Sequence, residues 1–134
     1  MNDDDATPPR QLSPEECWAA LTAAPIGRIA LSVGDEVDIF PVNFLVVDET
    51  VVFRTAPGTK LLELTVNDRV AFEVDDFTDK SALSVVLKGR AERVELQSEM
   101  DVLDSLGLEP WIKTPKFRWV RIYAESLTGI AFER

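Results

Sequence analysis

The chain has 134 residues, 46% hydrophobic and 28% charged, which fits one globular domain with a core of its own. A net charge of −10 excludes a generic nucleic-acid surface, because binding a polyanion needs many cations on one face. With no histidine and one cysteine, Cys17, histidine triads, histidine- or thiolate-held metals and an internal disulfide are excluded, so demanding chemistry would need an organic cofactor.

The opening MNDDDATPPRQ is acidic and rich in proline, unlike the basic start and apolar run of a secretory signal. It reads as a flexible tail over 1–11, followed by one domain over 12–134. No apolar run approaches the roughly 18 residues of a membrane span, and a lone cysteine fits a reducing cytoplasm. In LSPEECWAAL, Ser13 is an N-cap, Pro14 suits the first helical position and Glu16 completes a capping box, with Leu12 and Cys17 as its hydrophobic staple. This helix is expected to stop before Pro25.

From Gly27 the period becomes two. GRIALSV alternates Ile29, Leu31 and Val33 against Arg28, Ala30 and Ser32, the pattern of a half-buried strand. VDIFPVNFLVV and VVFRT follow across short polar turns at Gly34-Asp35 and Asp48-Glu49, so an antiparallel meander of three strands is expected. Pro41 cannot donate to a ladder, which assigns it to an edge or a bulge. A helix over about Thr59–Val66, closed by Asn67-Asp68, leads to the strand VAFEVD and the loop DFTDKS. The long strand ALSVVLKGRAERVE follows, with Gly89 as a bulge or bend. QSEMDVLDSLGL reads as a helix capped by Ser98 and stopped at Gly107, and EPWIKTPKF as irregular. RWVRIYAESLTGIAFE reads as a last strand with a short edge piece. The sum is a mainly β domain, either a closed antiparallel barrel with peripheral helices or an open sandwich.

One stretch carries chemistry. FRTAPGTKLLEL passes from strand to helix through a bend that gathers Arg54, Thr55, Gly58, Thr59 and Lys60. Exposed backbone N–H groups, two hydroxyls, two cations and a glycine that lets the backbone approach closely are what a phosphate monoester requires. The same residues also suit an ordinary capped junction. WIKTPKFRWVR concentrates Trp111, Lys113, Lys116, Phe117, Arg118, Trp119 and Arg121 in an otherwise acidic chain. It reads either as a cleft wall, with an aromatic ring and cations facing an anionic ligand, or as core and rim. Cys17 reads as a buried, inert thiol.

In order and spacing, PIGRIALS, PVNF, FRTAPGTKL and SVVLKGRAERV resemble the FMN-binding split-barrel proteins related to pyridoxamine phosphate oxidase, over nearly the whole chain. The resemblance implies a six-stranded antiparallel Greek-key split β-barrel. It further implies a homodimer with a flavin mononucleotide (FMN) in each cleft between subunits, and oxidoreductase activity on a small molecule. Arg54, Thr55, Thr59 and Lys60 then correspond to phosphate and ribityl contacts. Pro41, Val42, Asn43 and Phe44 correspond to the strand along the flavin ring, and Ala56, Gly58 and Leu61 to the same wall. Leu83 stands where many relatives have Trp, and Phe117, Arg118 and Trp119 where many have His. Leu83, Arg118 and Trp119 are therefore the candidates for the second, substrate-facing wall. Neither nucleic acid, membrane nor metal is expected as a partner. Two alternatives keep the same cleft: a flavin carrier without turnover, and a deazaflavin coenzyme whose acidic tail would meet Lys113, Lys116 and Arg118.

Overall fold

A computed structural model describes residues 7–33, 35–65, 68–109 and 117–134. The expectations at Gly34, Val66, Asn67, Trp111, Lys113 and Lys116 lie outside these residues. The elements run β1 (Arg10–Gln11), α1 (Pro14–Ala23), β2 (Gly27–Val33), β3 (Glu36–Val42), β4 (Leu45–Val47), β5 (Thr50–Thr55), α2 (Lys60–Thr65), β6 (Asp68–Phe77), β7 (Ser81–Arg93), α3 (Gln97–Asp104) and β8 (Arg118–Glu133). One antiparallel sheet in the order β3-β2-β6-β7-β8-β5-β4 holds the chain together, with β1 paired to β8. Among the described residues this makes eight strands where six were expected; two of them, β1 and β4, have only two and three residues.

Helix α1 forms because its first turn is satisfied from both directions. The Ser13 hydroxyl accepts from the Glu16 N–H at 3.2 Å, and the Glu16 carboxylate accepts from the Ser13 N–H at 3.0 Å. That hydrogen bond and the neighbouring Arg10 guanidinium hold the Glu16 carboxyl below its ordinary value. Cys17 and Leu21 turn inward. The helix lies against β8 at Gly129, where any Cβ would meet the Cys17 sulfur at 2.7 Å and the Leu12 side chain. Burial raises the pKa of the Cys17 thiol, and the Glu16 charge adds to it.

Alternation along the strands sends Ile29, Leu31, Phe53, Phe72, Val74, Val85, Leu87, Val120 and Ile122 into one core. On the outer face of β5 and β8, a satellite cluster of Val52, Val94, Leu103 and Trp119 is covered by α3. Between Lys88 and Gly89 the β7–β8 register shifts. A Cβ on Gly89 would stand 1.7 Å from the Tyr123 carbonyl oxygen, so the bulge expected there requires glycine.

Four expectations are corrected. VDIFPVNFLVV is not one strand: β3 pairs with β2, β4 pairs with β5, and the two lie at opposite ends of the sheet order. Pro41 does sit on an edge strand, as expected. The inward alternation of Val42 and Phe44 continues straight through the break, where Phe44 packs edge-on against Phe72 at 4.8 Å, so periodicity could not reveal it. Arg10 and Gln11 are not tail. They pair with Ala131 and Ile130, and Arg10 binds both carboxylate oxygens of Glu16 at 3.0 and 2.9 Å. Ser98 does not cap α3; Leu96 holds that position without a side-chain cap, while Gln97 donates to Asp101 one turn on at 2.7 Å. The last strand is a single 16-residue element with no separate edge piece. No helix among the described residues is long and apolar enough to cross a membrane.

Candidate functional site

At the end of β5 the chain leaves the ladder at Thr55, turns through Ala56, Pro57 and Gly58, and enters α2 with Thr59 as its cap. The Thr59 hydroxyl oxygen accepts from the Leu62 N–H at 3.2 Å, and its hydrogen reaches the Ala56 carbonyl at 3.0 Å. The Thr55 and Thr59 hydroxyls are 2.9 Å apart. An anion placed here accepts from them once each O–H rotates, a change that moves no heavy atom. Gly58 has φ 78°, and nothing among the described residues lies within 4 Å of where a Cβ would stand, so these residues leave the bend open on that side. Leu62 is buried and Leu61 packs against the core, anchoring the helix behind the bend.

Lys60 reaches across to β3, with Nζ 3.0 Å from the Glu36 carboxylate and 3.3 Å from that of Asp38. Its pKa is raised by hydrogen bonding to Glu36 first and Asp38 next. These carboxylates were missed in the sequence. The signal was there in EVD, whose first and third residues share one face of a strand. Arg118 stands directly opposite Thr55 in the β5–β8 register and donates to the Phe117 carbonyl oxygen at 3.0 Å.

Arg54 points the other way. Its guanidinium lies over the Phe117 ring, 4.2 Å from its centre, and over the Trp119 ring, 5.7 Å from its centre. It donates to the Leu108 carbonyl oxygen. Its Nε is buried and has no hydrogen-bond partner among the described residues. Trp119 is only 2% exposed, and its indole N–H donates to Asp104 at 2.7 Å. Arg54 and Trp119 thus form one layered unit under α3, separated by the sheet from Thr55, Thr59 and Lys60.

Along the neighbouring segment Val42 and Phe44 are buried, Pro41 is exposed and Asn43 is half-buried. Leu83, on β7, is opposite Ala131. Arg118 and Ala131 lie near opposite ends of the 16-residue β8, about 40 Å apart at the rise of an extended strand. Within one chain Leu83 thus pairs at the end of β8 away from Arg118 and Trp119. At Leu83's end lies a concavity of about 370 Å³ lined in part by Phe77, Lys80, Ala82, Phe132 and Arg134, well away from the bend.

Comparison with known proteins places this arrangement. A family model described as pyridoxamine 5'-phosphate oxidase matches residues 13–131. An uncharacterised protein of Mycobacterium tuberculosis is 35% identical over 88 residues, covering 66% of this chain and 80% of the relative. A Corynebacterium glutamicum structure superposes with a TM-score of 0.87 at 39% identity, covering 95% of each chain. The structure of an FAD binding protein from Mycobacterium smegmatis gives 0.86 at 38% identity, covering 93% of this chain and 99% of the other. The antiparallel sheet with few helices is the split barrel expected from the sequence.

Proposed function

The chain belongs to the pyridoxamine 5'-phosphate oxidase family, and on that footing we propose that it is a flavin-nucleotide-binding oxidoreductase acting on a small molecule. The observation that carries this reading is the bend: paired Thr55 and Thr59 hydroxyls, the open side of Gly58, Lys60 beside them and Arg118 opposite. These donors suit a phosphate, and they sit in a fold shared at 38% identity with a protein named for binding FAD. Thr55, Thr59 and Lys60 hold the phosphate, Gly58 admits it, and the half-buried Asn43 is a polar group available to the ring edge. A bound flavin supplies hydride exchange with the substrate.

The sequence points to FMN; the Mycobacterium smegmatis neighbour favours FAD as a second reading. The direct test is the absorption spectrum of the purified protein, followed by denaturation and mass identification of the released molecule. A flavin is the expected result. Neither retention nor micromolar binding of FMN or FAD would contradict it.

The proposed unit is a homodimer with the cofactor at the interface. Its support is that Leu83, which the family resemblance assigns to the second wall, pairs at the end of β8 away from the bend, so that wall would have to come from a second copy. Phe77 and Phe132, exposed at 77% and 45% beside Leu83's strand, are the apolar surface such a contact would cover. The buried thiol of Cys17 suits the cytoplasm proposed as its location.

A further inference from the structure

Helix α3 covers the outer face of the sheet over β5 and the start of β8. The same face continues through β3, β2, β6, β7 and the end of β8, and there it carries exposed apolar side chains. The register puts Val37 and Ile39 on that side through their β2 partners, and aligns Phe77 with Ala82 and Phe132, and Ser84 with Ile130. All five large side chains in this set are exposed. Arg28, Arg69, Lys88 and Arg90 stand on it too, four of only 14 basic residues, so two acidic copies repel each other less here than elsewhere. Five strands over the length of β6 from Arg69 to Phe77 give a face of at most about 600 Å². A standard stable interface takes about 800 Å² from each partner. A contact through this face is thus of the weaker class, in which the charge of one covered group shifts the balance.

Such a group lies in the middle. Arg28 on β2 is directly opposite Glu73 on β6, and Asp75, two residues on, shares that side of the strand. One Arg28 nitrogen is 3.3 Å from a carboxylate oxygen of each, so a single cation serves two anions. The other charges nearby do not restore the balance. Lys88 on β7 is opposite Ala71, diagonal to Glu73, and forms no ion pair among the described residues, while Arg69 and Arg90 turn to Glu125 at 3.4 and 4.0 Å. From β3 the neighbours are Ile39 and Pro41, which carry no charge. Burial already holds the Glu73 carboxyl above its ordinary value, and the hydrogen bond to Asp75 and the charge of Asp75 add to it against the pull of Arg28.

We propose that two copies meet through this face and that Glu73 and Asp75, one carboxylate more than Arg28 can neutralise, form a proton switch that tightens the dimer as the pH falls. This rests on the homodimer proposed above and adds its surface and its control. Covering the face strips water from the surplus negative charge, a costly state that one proton per copy removes by leaving an O–H to donate to the other carboxylate. The dimer therefore binds more protons than two monomers. Its dissociation constant falls as the pH drops through the value that Glu73 has in the dimer, and levels off below the value it has in the monomer.

The test is sedimentation of the protein as purified, at fixed salt, between about pH 5.5 and 8, the range over which the wild-type dissociation constant is expected to fall about tenfold toward acid. Glu73→Gln and Asp75→Asn, at side chains 33% and 39% exposed, are each expected to dimerise at pH 8 as tightly as the wild type does in acid, with a flat profile. Glu15→Gln removes the same charge from the exposed side of α1 and is expected to keep the wild-type slope, which separates the switch from a general easing of repulsion. Ile39→Glu is expected to weaken the dimer at every pH. A wild-type dimer whose dissociation does not move with pH, or a slope that survives in both Glu73→Gln and Asp75→Asn, overturns the switch and leaves the dimer standing. Ile39→Glu without effect overturns the face. A monomer at every pH removes both the switch and the dimer, while the flavin reading is still decided by the spectrum of the purified protein.

Discussion

A Cβ built on Gly89 would overlap the Tyr123 carbonyl oxygen at 1.7 Å, whereas one built on Gly58 would meet nothing among the described residues within 4 Å and suffer from φ 78°. Gly89→Ala is therefore expected to destabilise by about 3 kcal/mol, the upper end of overpacking. Gly58→Ala should cost about 1 kcal/mol, the backbone cost of a left-handed residue. Chemical denaturation of the two variants measures both; equal losses would contradict the bulge. At Trp119 the alternation of RWVR put the ring and Val120 on opposite faces, yet left open whether that ring lines a cleft or is covered by α3. Asp104, which accepts the indole N–H, is 15 residues earlier and carries no pattern that announces it. Trp119→Phe is expected to cost about 1–2 kcal/mol through the lost hydrogen bond and to leave flavin affinity within about twofold. A large loss of affinity would instead make the indole part of the binding wall.

Among the elements, α1 was legible to the residue because its signals are local: a cap, a proline and a reciprocal glutamate lie within one turn. Ser13→Ala is expected to cost about 1 kcal/mol in thermal or denaturant unfolding. Glu16 adds a pH dependence with a definite sign. Its folded pKa lies below the ordinary 4.5, so its contribution is present above that value and fades as the pH falls through the folded value. The stability difference between wild type and Glu16→Ala should accordingly shrink in acid; a difference that grew would contradict the capping geometry. The strands were legible where period two met a turn signal, as in β2, and the β7 bulge was legible because glycine marked it. The β3–β4 break was not, since Phe44 keeps the alternation while the chain changes partners. Nor was the division of the candidate site, because adjacent residues on a strand face opposite ways, whereas the family resemblance and the closeness in sequence both put Arg54 beside Thr55.

At the scale of the whole molecule, the far end of β8 and the bend belong to one site only if two copies meet. Light scattering is expected to find a dimer, and Phe77→Glu, which places a charge on the exposed apolar end, is expected to weaken both the dimer and flavin binding. A monomeric wild type that still binds flavin would contradict the shared cleft. A pairing of this kind would leave little trace in the sequence beyond the family likeness, because an exposed phenyl at a hairpin end has the same local pattern whether or not a partner covers it. The most direct test of the central claim is flavin titration of wild type against Thr55→Val/Lys60→Gln, which removes a hydroxyl and a cation from the bend and keeps the Thr59 cap. Removing those donors is expected to weaken binding by about tenfold or more. An unchanged affinity would mean that the bend between β5 and α2 holds no phosphate.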